Sequence, residues 1–314
     1  MEKPGILFMG TPEFAVPSLA ALVDGGYRVI GVVTQPERPQ GRGRLEISSP
    51  VKIFAEERGL SLYQPQRVRD ESFLEVFRNL APDLVVLVAF GQILPKAVIE
   101  GPPLGCVNVH PSLLPKYRGA APINWAVMNG EKRTGVTIMY MNEGVDAGDI
   151  ILQKETPIGE EEMYDDLHDR LSLMGAELLM RAVDGIIEGT AKRTPQNHAE
   201  ATLAPRINRE IGYIDWNDGV VKIVNQIRGL SSTPGAYSFL REKQLKIFAA
   251  TGIVKETSGE KYPGAIGKLL ESGLQVTAGD GHVYLQEIQL EGKRRMFIDE
   301  FLRGFKLSSD DTLE

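Results

Sequence analysis

Asn108 and His110 lie two residues apart at the end of a short apolar run that has the composition of a β-strand. Side chains alternate between the two faces of a strand, so both project from the same face. An amide donor beside an imidazole suits negative charge that develops on a carbonyl oxygen. In an open parallel sheet, ligands bind beyond the carboxyl ends of the strands, and the sequence therefore predicts a reactive site here. A histidine after a strand is also common as an ordinary loop residue, so the pair alone leaves both interpretations open.

Asp146 is the second candidate, in the polar segment 142–149 that follows another apolar run. Gly144 and Gly148 flank it, so the backbone of a loop could hold its carboxylate in place. Asp and Gly also build ordinary surface turns. A functional carboxylate and a surface turn fit the pattern equally well.

The segment 34–49 is long for a connection between a strand and a helix, where two to six residues is usual. It carries Arg38, Arg42 and Arg44 together with two glycines. One interpretation is a disordered loop. The other is a basic arm that contacts RNA and becomes ordered on binding.

Several classes of site are excluded. The first strand is followed by Gly10, Thr11 and Pro12 without the three-glycine dinucleotide fingerprint, so nicotinamide and flavin cofactors are not expected. The four histidines are scattered and Cys106 is the only cysteine, so we predict no metal site and no internal disulfide. The net charge of −7 gives no overall attraction to nucleic acid, so any RNA contact must come from local basic clusters.

Short apolar runs alternate with helix-like segments through the first half of the chain, which predicts a mostly parallel sheet with helices on both faces. The predicted strands are 6–9, 29–33, 84–89, 107–110 and 136–141, and the predicted helices are 14–23, 50–58 and 73–80. From Met163 an apolar stripe at spacings of three and four residues predicts a long helix that ends near Gly189. The pattern then breaks in a stretch with two prolines and several basic residues, which indicates a linker.

The remainder of the chain combines a predicted helix over 220–230 with short strands separated by turn signals, a pattern typical of a small β-barrel. We therefore expect a first domain over 1–189, a linker over 190–207 and a second domain over 208–314. No apolar run approaches the roughly 18 residues that span a bilayer, and the first residues do not resemble a targeting peptide. We expect a cytoplasmic protein with no membrane partner.

Motifs throughout the chain resemble those of formyltransferases that use 10-formyltetrahydrofolate. The signature residues are Asn108, His110, Ser112-Leu113-Leu114-Pro115 and Asp146. The longer run 109–148, with 9–15 and 34–36, is specifically similar to the methionyl-tRNA formyltransferase family, and the likeness continues through 214–216, 234–237 and 279–281.

This resemblance implies a doubly wound formyltransferase domain followed by an OB-like barrel that helps to hold tRNA. It assigns catalysis to Asn108, His110 and Asp146. It implies a folate site that comprises Ser112, Leu113, Leu114, Pro115, Phe90 and Ile93, the last two from the apolar strip that holds the pterin ring.

The same resemblance implies that the formyl group goes to the α-amine of methionine on initiator methionyl-tRNA, with 10-formyltetrahydrofolate as cosubstrate. Arg42 resembles the contact to the acceptor stem, and we add Arg38, Arg44 and Arg206 to the predicted tRNA-binding residues. We expect a monomer without metal. Whether His110 acts as a base or as a protonated donor to the oxyanion stays open.

Three other functions share part of this pattern. An enzyme that formylates an amino-sugar nucleotide would have the same three catalytic residues, but the long Arg-Gly arm argues against it. A hydrolase that releases formate would have no evident use for the arm or the barrel. An RNA-binding protein with an inactive site would not need Asn108, His110 and Asp146 intact.

Overall fold

The computed structural model describes residues 3–40, 45–254, 262–308 and 311–314. The chain divides into two compact units. The first comprises Met1–Gly119, Thr134–Thr156 and His168–Leu203, and the second Ala120–Arg133, Pro157–Leu167 and Ala204–Glu314.

Strands and helices alternate along the first two hundred residues, as the sequence predicts. In chain order they are β1 (Gly5–Gly10), α1 (Val16–Asp24), β2 (Arg28–Val33), β3 (Arg38–Gln40), β4 (Leu45–Ile47), α2 (Pro50–Glu57), β5 (Leu62–Tyr63), α3 (Glu71–Leu80), β6 (Leu84–Val88), α4 (Lys96–Glu100), β7 (Cys106–His110), β8 (Arg118–Gly119), α5 (Pro122–Met128), β9 (Arg133–Tyr140), β10 (Ile150–Pro157) and α6 (Tyr164–Ile187). The long helix α6 confirms the predicted apolar stripe, because Leu167, Leu171, Leu178, Ala182 and Ile186 are all buried.

The main sheet of the first unit has the strand order β10-β9-β7-β6-β1-β2-β5. The five strands β5, β2, β1, β6 and β7 pair with one another in parallel, and β9 runs antiparallel to β7. Every residue of β1 and β6 is buried, as expected for central strands covered on both faces. The chain passes from β1 to β2 on one side and from β6 to β7 on the other, so β1 and β6 mark the point where the winding reverses.

The basic arm has partly regular structure. Strands β3 and β4 pair antiparallel, with Arg38 opposite Ile47 and Gln40 opposite Leu45. Arg42 and Arg44 lie outside the described residues.

The second unit holds the remaining elements: β11 (Leu203–Ala204), which begins at the last residue of the first unit, then α7 (Val220–Gly229), β12 (Ala236–Leu240), β13 (Lys243–Val254), β14 (Ile266–Leu270), β15 (Gly273–Ala278), β16 (Gly281–Leu290), β17 (Met296–Phe297) and α8 (Ile298–Gly304). Its antiparallel sheet has the order β12-β13-β16-β15-β14, with β17 on β16. The core of this sheet includes Trp216, Ile223, Ile247, Val276 and Leu285. The predicted fold class, a doubly wound, mostly parallel sheet followed by a small β-domain, is confirmed, and the strands of the β-domain are antiparallel.

Two segments that precede residue 168, Ala120–Arg133 and Pro157–Leu167, belong to the second compact unit. Within it, the Asn124 amide donates to the carbonyl of Gly229 at 2.8 Å, and the Trp125 indole N–H donates to the carbonyl of Pro205 at 2.8 Å. Arg228 Nη1 donates to the carbonyl of Gly159 at 3.0 Å. The limits 1–189, 190–207 and 208–314 stay a prediction; the compact units differ from them in placing 120–133 and 157–167 with the C-terminal residues.

Candidate active site

Three loops meet at the carboxyl edge of the sheet, where the winding reverses. Thr11 follows β1 and its Oγ1 donates to the carbonyl of Phe90 at 3.0 Å. Gln35 follows β2 and its Nε2 donates to the same carbonyl at 2.8 Å. The loops after β1, β2 and β6 are therefore joined at one main-chain oxygen, at the position where open α/β sheets bind ligands.

Gly91 allows this convergence. Its φ of +84° lies in the left-handed region, and a Cβ at this position would lie 2.4 Å from Gln35 Nε2. A side chain here would be strained in the backbone and would displace the Gln35 amide. The glycine is thus required by the loop geometry.

His110 ends β7 and is 4% exposed. Its Nε2 lies 2.9 Å from the carbonyl oxygen of Tyr117. A carbonyl only accepts hydrogen bonds, so Nε2 carries the proton of this contact. The other ring nitrogen, Nδ1, faces Asp146 Oδ2 at 3.7 Å.

Asp146 reaches His110 from the loop between β9 and β10. Its Oδ2 accepts a hydrogen bond from the main-chain N–H of Gly119 at 2.8 Å. Its φ of 45° lies in the left-handed region, where Asp is better tolerated than most residues. The 3.7 Å separation from His110 exceeds hydrogen-bond length, so the two groups are neighbours without being bonded directly.

Asn108 lies on the same strand face as His110 and is 7% exposed. Its side-chain amide has no hydrogen-bond partner within the residues that the structure describes. The structure therefore brings together all three predicted catalytic residues, with an amide donor of Asn108 that other side chains do not occupy.

Thr137 holds the main chain of the predicted folate loop 112–115 through hydrogen bonds. Thr137 Oγ1 donates to the carbonyl of Ser112 at 2.6 Å and accepts from the N–H of Leu114 at 3.1 Å. Ser112 Oγ donates to the carbonyl of Lys116 at 2.7 Å. Gln153 Nε2 donates to the carbonyl of Leu114 at 2.9 Å and to Thr137 Oγ1 at 2.9 Å.

The predicted folate residues differ in their access to solvent. Ser112, Leu114 and Phe90 are buried. Leu113 and Pro115 are half-buried, and Ile93 is 94% exposed. Ile93 is one of several large apolar side chains that are exposed among the described residues.

The base of the basic arm is fastened by Glu37. Its carboxylate accepts from Ser48 Oγ at 2.7 Å and from Lys52 Nζ at 2.5 Å, so it joins the start of the arm to its end. The hydrogen bond from Lys52, with a second from Ser48, lowers the pKa of the Glu37 carboxyl. The backbone of Arg38 lies in β3, immediately beyond this contact.

Two of the basic residues in the second unit are occupied by acidic partners. Arg295 Nη2 lies 2.5 Å from Glu287 Oε2, and its guanidinium lies 4.2 Å from the centre of the Phe248 ring. Arg294 forms an ion pair with Glu300. Arg206, the predicted tRNA contact of this region, is exposed.

Arg118 and Gln196 contact the Asp146 loop, although no pattern in the sequence marks either of them by itself. Arg118 donates to Gln196 Oε1 from Nε at 3.1 Å and from Nη2 at 2.6 Å, and Gln196 Nε2 donates to the carbonyl of Asp146 at 2.9 Å. Arg118 belongs to the run that carries the family resemblance, so the sequence did offer a reason to consider it. Gln196 lies in the predicted linker, fifty residues beyond Asp146, where no local pattern marks it.

Comparisons with known proteins support the same family. The model described as "Formyl transferase" matches residues 4–183, and "Formyl transferase, C-terminal domain" matches residues 206–306. The methionyl-tRNA formyltransferase of Syntrophus aciditrophicus is 56% identical over 313 residues, which is 100% of each chain. The chain belongs to the methionyl-tRNA formyltransferase family.

Two more distant solved structures share the fold. The N-formyltransferase of Helicobacter canadensis, in complex with folinic acid and dTDP-3-aminofucose, gives a TM-score of 0.68 at 20% identity and covers 94% of this chain and 100% of its own. HypX of Aquifex aeolicus in complex with tetrahydrofolic acid gives 0.64 at 21% identity, and the match covers 98% of this chain and 49% of HypX. Within the part of this family member that the structure describes, no helix is both long and apolar enough to cross a membrane.

Proposed function

We propose that this chain transfers the formyl group of 10-formyltetrahydrofolate to the α-amine of methionine on initiator methionyl-tRNA. The observation that carries the proposal is the meeting of Asn108, His110 and Asp146 at the carboxyl edge of the sheet, in a chain that belongs to this formyltransferase family. In the reaction, a bond forms between the amine nitrogen and the formyl carbon, and the bond from that carbon to N10 of the folate breaks. The amine loses one proton, and N10 gains one.

Asn108 would stabilise the tetrahedral intermediate. Attack of the amine turns the formyl oxygen into an oxyanion, and the amide of Asn108 is a donor with no other partner among the described residues. A donor already in place before the charge develops costs no reorganisation when the reaction occurs.

His110 would act through Asp146, because neither ring nitrogen is left to donate to the oxyanion. Its Nε2–H is fixed on the carbonyl of Tyr117, so Nδ1 is the nitrogen turned toward Asp146. A lone pair on Nδ1 would be repelled by the carboxylate oxygen of Asp146, whereas an N–H at Nδ1 would be attracted to it. Asp146 would accept the proton of the attacking amine, through a water molecule.

The folate would lie on the apolar surface formed by Ile93, Leu113 and Pro115, because these side chains have exposed area. Phe90, Ser112 and Leu114 are buried and would shape the site from beneath. Initiator tRNA would be held by Arg42 with Arg38 and Arg44 of the arm, and by Arg206 of the second unit. We also propose that the enzyme is a cytoplasmic monomer.

Formyl transfer to defined acceptors tests the function. Purified protein would be incubated with 10-formyltetrahydrofolate and, separately, initiator methionyl-tRNA, elongator methionyl-tRNA or an amino-sugar nucleotide. We expect transfer to initiator methionyl-tRNA alone, unchanged by EDTA. Transfer to the sugar, or release of formate without an acceptor, would show that the substrate assignment is wrong.

Replacement of Asn108 tests the site. We expect Asn108→Ala to lower kcat by on the order of 10²- to 10³-fold, as for the loss of one oxyanion donor. Asn217→Ala is the matched control, because Asn217 is exposed in the second unit and donates only to its neighbour Asp215. An Asn108→Ala enzyme with the turnover of the control would remove Asn108 from the mechanism.

A further inference from the structure

Gln196 connects the Asp146 loop to a buried arginine. Its Nε2 donates to the carbonyl of Asp146 at 2.9 Å and to that of Gly148 at 2.8 Å, so both amide protons are used. Its Oε1 accepts twice from Arg118. Gln196 and Arg118 are both buried.

Only one orientation of the Gln196 amide satisfies these contacts. Arginine has donors and no acceptor, and main-chain carbonyls have no donor. The amide oxygen must therefore face Arg118, and the NH₂ group must face the two carbonyls. A reversed amide would leave four buried contacts with the wrong polarity.

The tripeptide 117–119 links these contacts to the reactive groups. The carbonyl of Tyr117 holds His110, and the N–H of Gly119 holds the carboxylate of Asp146. Arg118, between them, holds Gln196. Arg118 is itself fixed by its main-chain N–H, which donates to the carbonyl of Thr202 at 2.9 Å.

The Asp146 loop needs such support because its backbone is unusual. Asp146 has a φ of 45°, and a Cβ on Gly148 would lie 1.8 Å from the carbonyl oxygen of Tyr140. A loop in the left-handed region costs free energy and persists when surrounding contacts determine it. The two bonds from Gln196 fall on either side of Ala147, within this strained turn.

We infer that Gln196 and Arg118 are a positioning pair that sets the Asp146 carboxylate against His110 by holding the main chain at Asp146 and Gly148. The inference rests on the proposed function, in which Asp146 accepts the proton of the amine. Gln196 touches neither substrate nor reacting atoms, so it acts through Asp146.

Two substitutions of Gln196 test its hydrogen bonds to the Asp146 loop. Gln196→Glu keeps the acceptor for Arg118 but sets a carboxylate oxygen against two carbonyl oxygens. Gln196→Met removes both donors, and with them the acceptor for Arg118, without adding repulsion. We expect Gln196→Glu to lower kcat about 10- to 100-fold, as for a displacement of about 1 Å in a reacting group, with KM for both substrates within about 3-fold. Gln196→Met should cause a smaller loss of the same kind.

Gln226→Glu is the matched control. Gln226 donates from Nε2 to the carbonyls of Ile211 and Tyr213, at 2.7 and 2.8 Å. These carbonyls are also two residues apart, but they lie in the second unit. This variant should retain wild-type kcat.

The decisive measurement repeats Gln196→Glu and Gln196→Met in an Asp146→Asn enzyme. If Gln196 acts through Asp146, each change should cost less than about 3-fold there, because the two effects share one cause. Hydrogen exchange of the peptide 142–149 should also become faster in the Gln196 variants while the rest of the first unit is unchanged. Equal losses in both backgrounds, or unchanged exchange and kcat, would overturn the inference.

The outcomes also separate this inference from the function on which it rests. A wild-type chain that transfers no formyl group refutes the proposed function, and the exchange rates still report whether Gln196 holds the loop. If Asp146→Asn lowers kcat and the Gln196 variants do not, the proposed function stands and the positioning pair is refuted. If Gln196→Glu unfolds the first unit, Gln196→Met decides between these outcomes.

Discussion

Thr137 of β9 forms hydrogen bonds to the proposed folate loop 112–115, and its replacement by Val tests how that loop is supported. The side chain is fully buried and contacts three polar groups. Valine has nearly the same shape but no hydroxyl. The carbonyl of Ser112 would lose its donor, and the N–H of Leu114 would lose its acceptor, whereas Gln153 keeps its bond to the carbonyl of Leu114.

The expected cost follows from the two main-chain groups left without partners. An unsatisfied buried group costs about 1–3 kcal/mol, so we expect Thr137→Val to lower the free energy of unfolding of the first unit by about 3 kcal/mol. For a unit of this size, that corresponds to a fall of roughly 6–12 °C in its melting temperature. The KM for 10-formyltetrahydrofolate should rise as well, because residues 112–115 lose their support.

Differential scanning calorimetry, with steady-state kinetics of formyl transfer, measures both effects. Thr134→Val is the control, since Thr134 is buried in the same strand but forms no side-chain hydrogen bond with another described residue. It should melt within about 2 °C of wild type, as for a change of about 0.5 kcal/mol. A Thr137→Val protein that melts with the control would refute the claim that Thr137 supports the loop.

Three further predictions concern other parts of the chain. Cys106 is buried and burial raises its pKa to about 12, so a thiol reagent should label it only after denaturation, as mass spectrometry would show. The hydrogen bond from Arg241 lowers the pKa of Asp311 to about 2, below its ordinary value of 3.8. The ionised Asp311 therefore stabilises the folded state above pH 4, and this contribution is lost as the pH falls toward 2. The difference in melting temperature between wild type and Asp311→Asn should shrink over that range. Ser49 caps α2 by accepting from the N–H of Lys52 at 3.2 Å, and Ser49→Ala should cost about 1 kcal/mol in urea unfolding.

The elements that carry the site follow from local patterns. Uninterrupted apolar runs predict β1 and β6, because central strands of a parallel sheet are buried on both faces. Alternation along β7 places Asn108 and His110 on one face. The apolar stripe predicts α6 because its spacing matches a helical turn. These features depend on neighbouring residues only.

The contacts that complete the site depend on residues far apart in sequence. A strand pattern does not fix direction, so the antiparallel pairing of β9 with β7 could not be predicted from its composition. The loop that carries Asp146 could have been a surface turn; its approach to His110 depends on Gly119 and on Gln196. Likewise the burial of Ser112 and the exposure of Ile93 depend on how loops from separate strands meet.

The salt bridge at the base of the basic arm affects how the arm could bind RNA. Bringing the ends of a loop together has an entropic cost that grows with the logarithm of its length. Glu37 already joins Ser48 and Lys52 in the free protein. The entropy of closing the loop is therefore lost during folding, and it does not lower the affinity for a nucleic acid. In the free protein the two ends of the arm are thus already held together by Glu37 and by the pairing of β3 with β4.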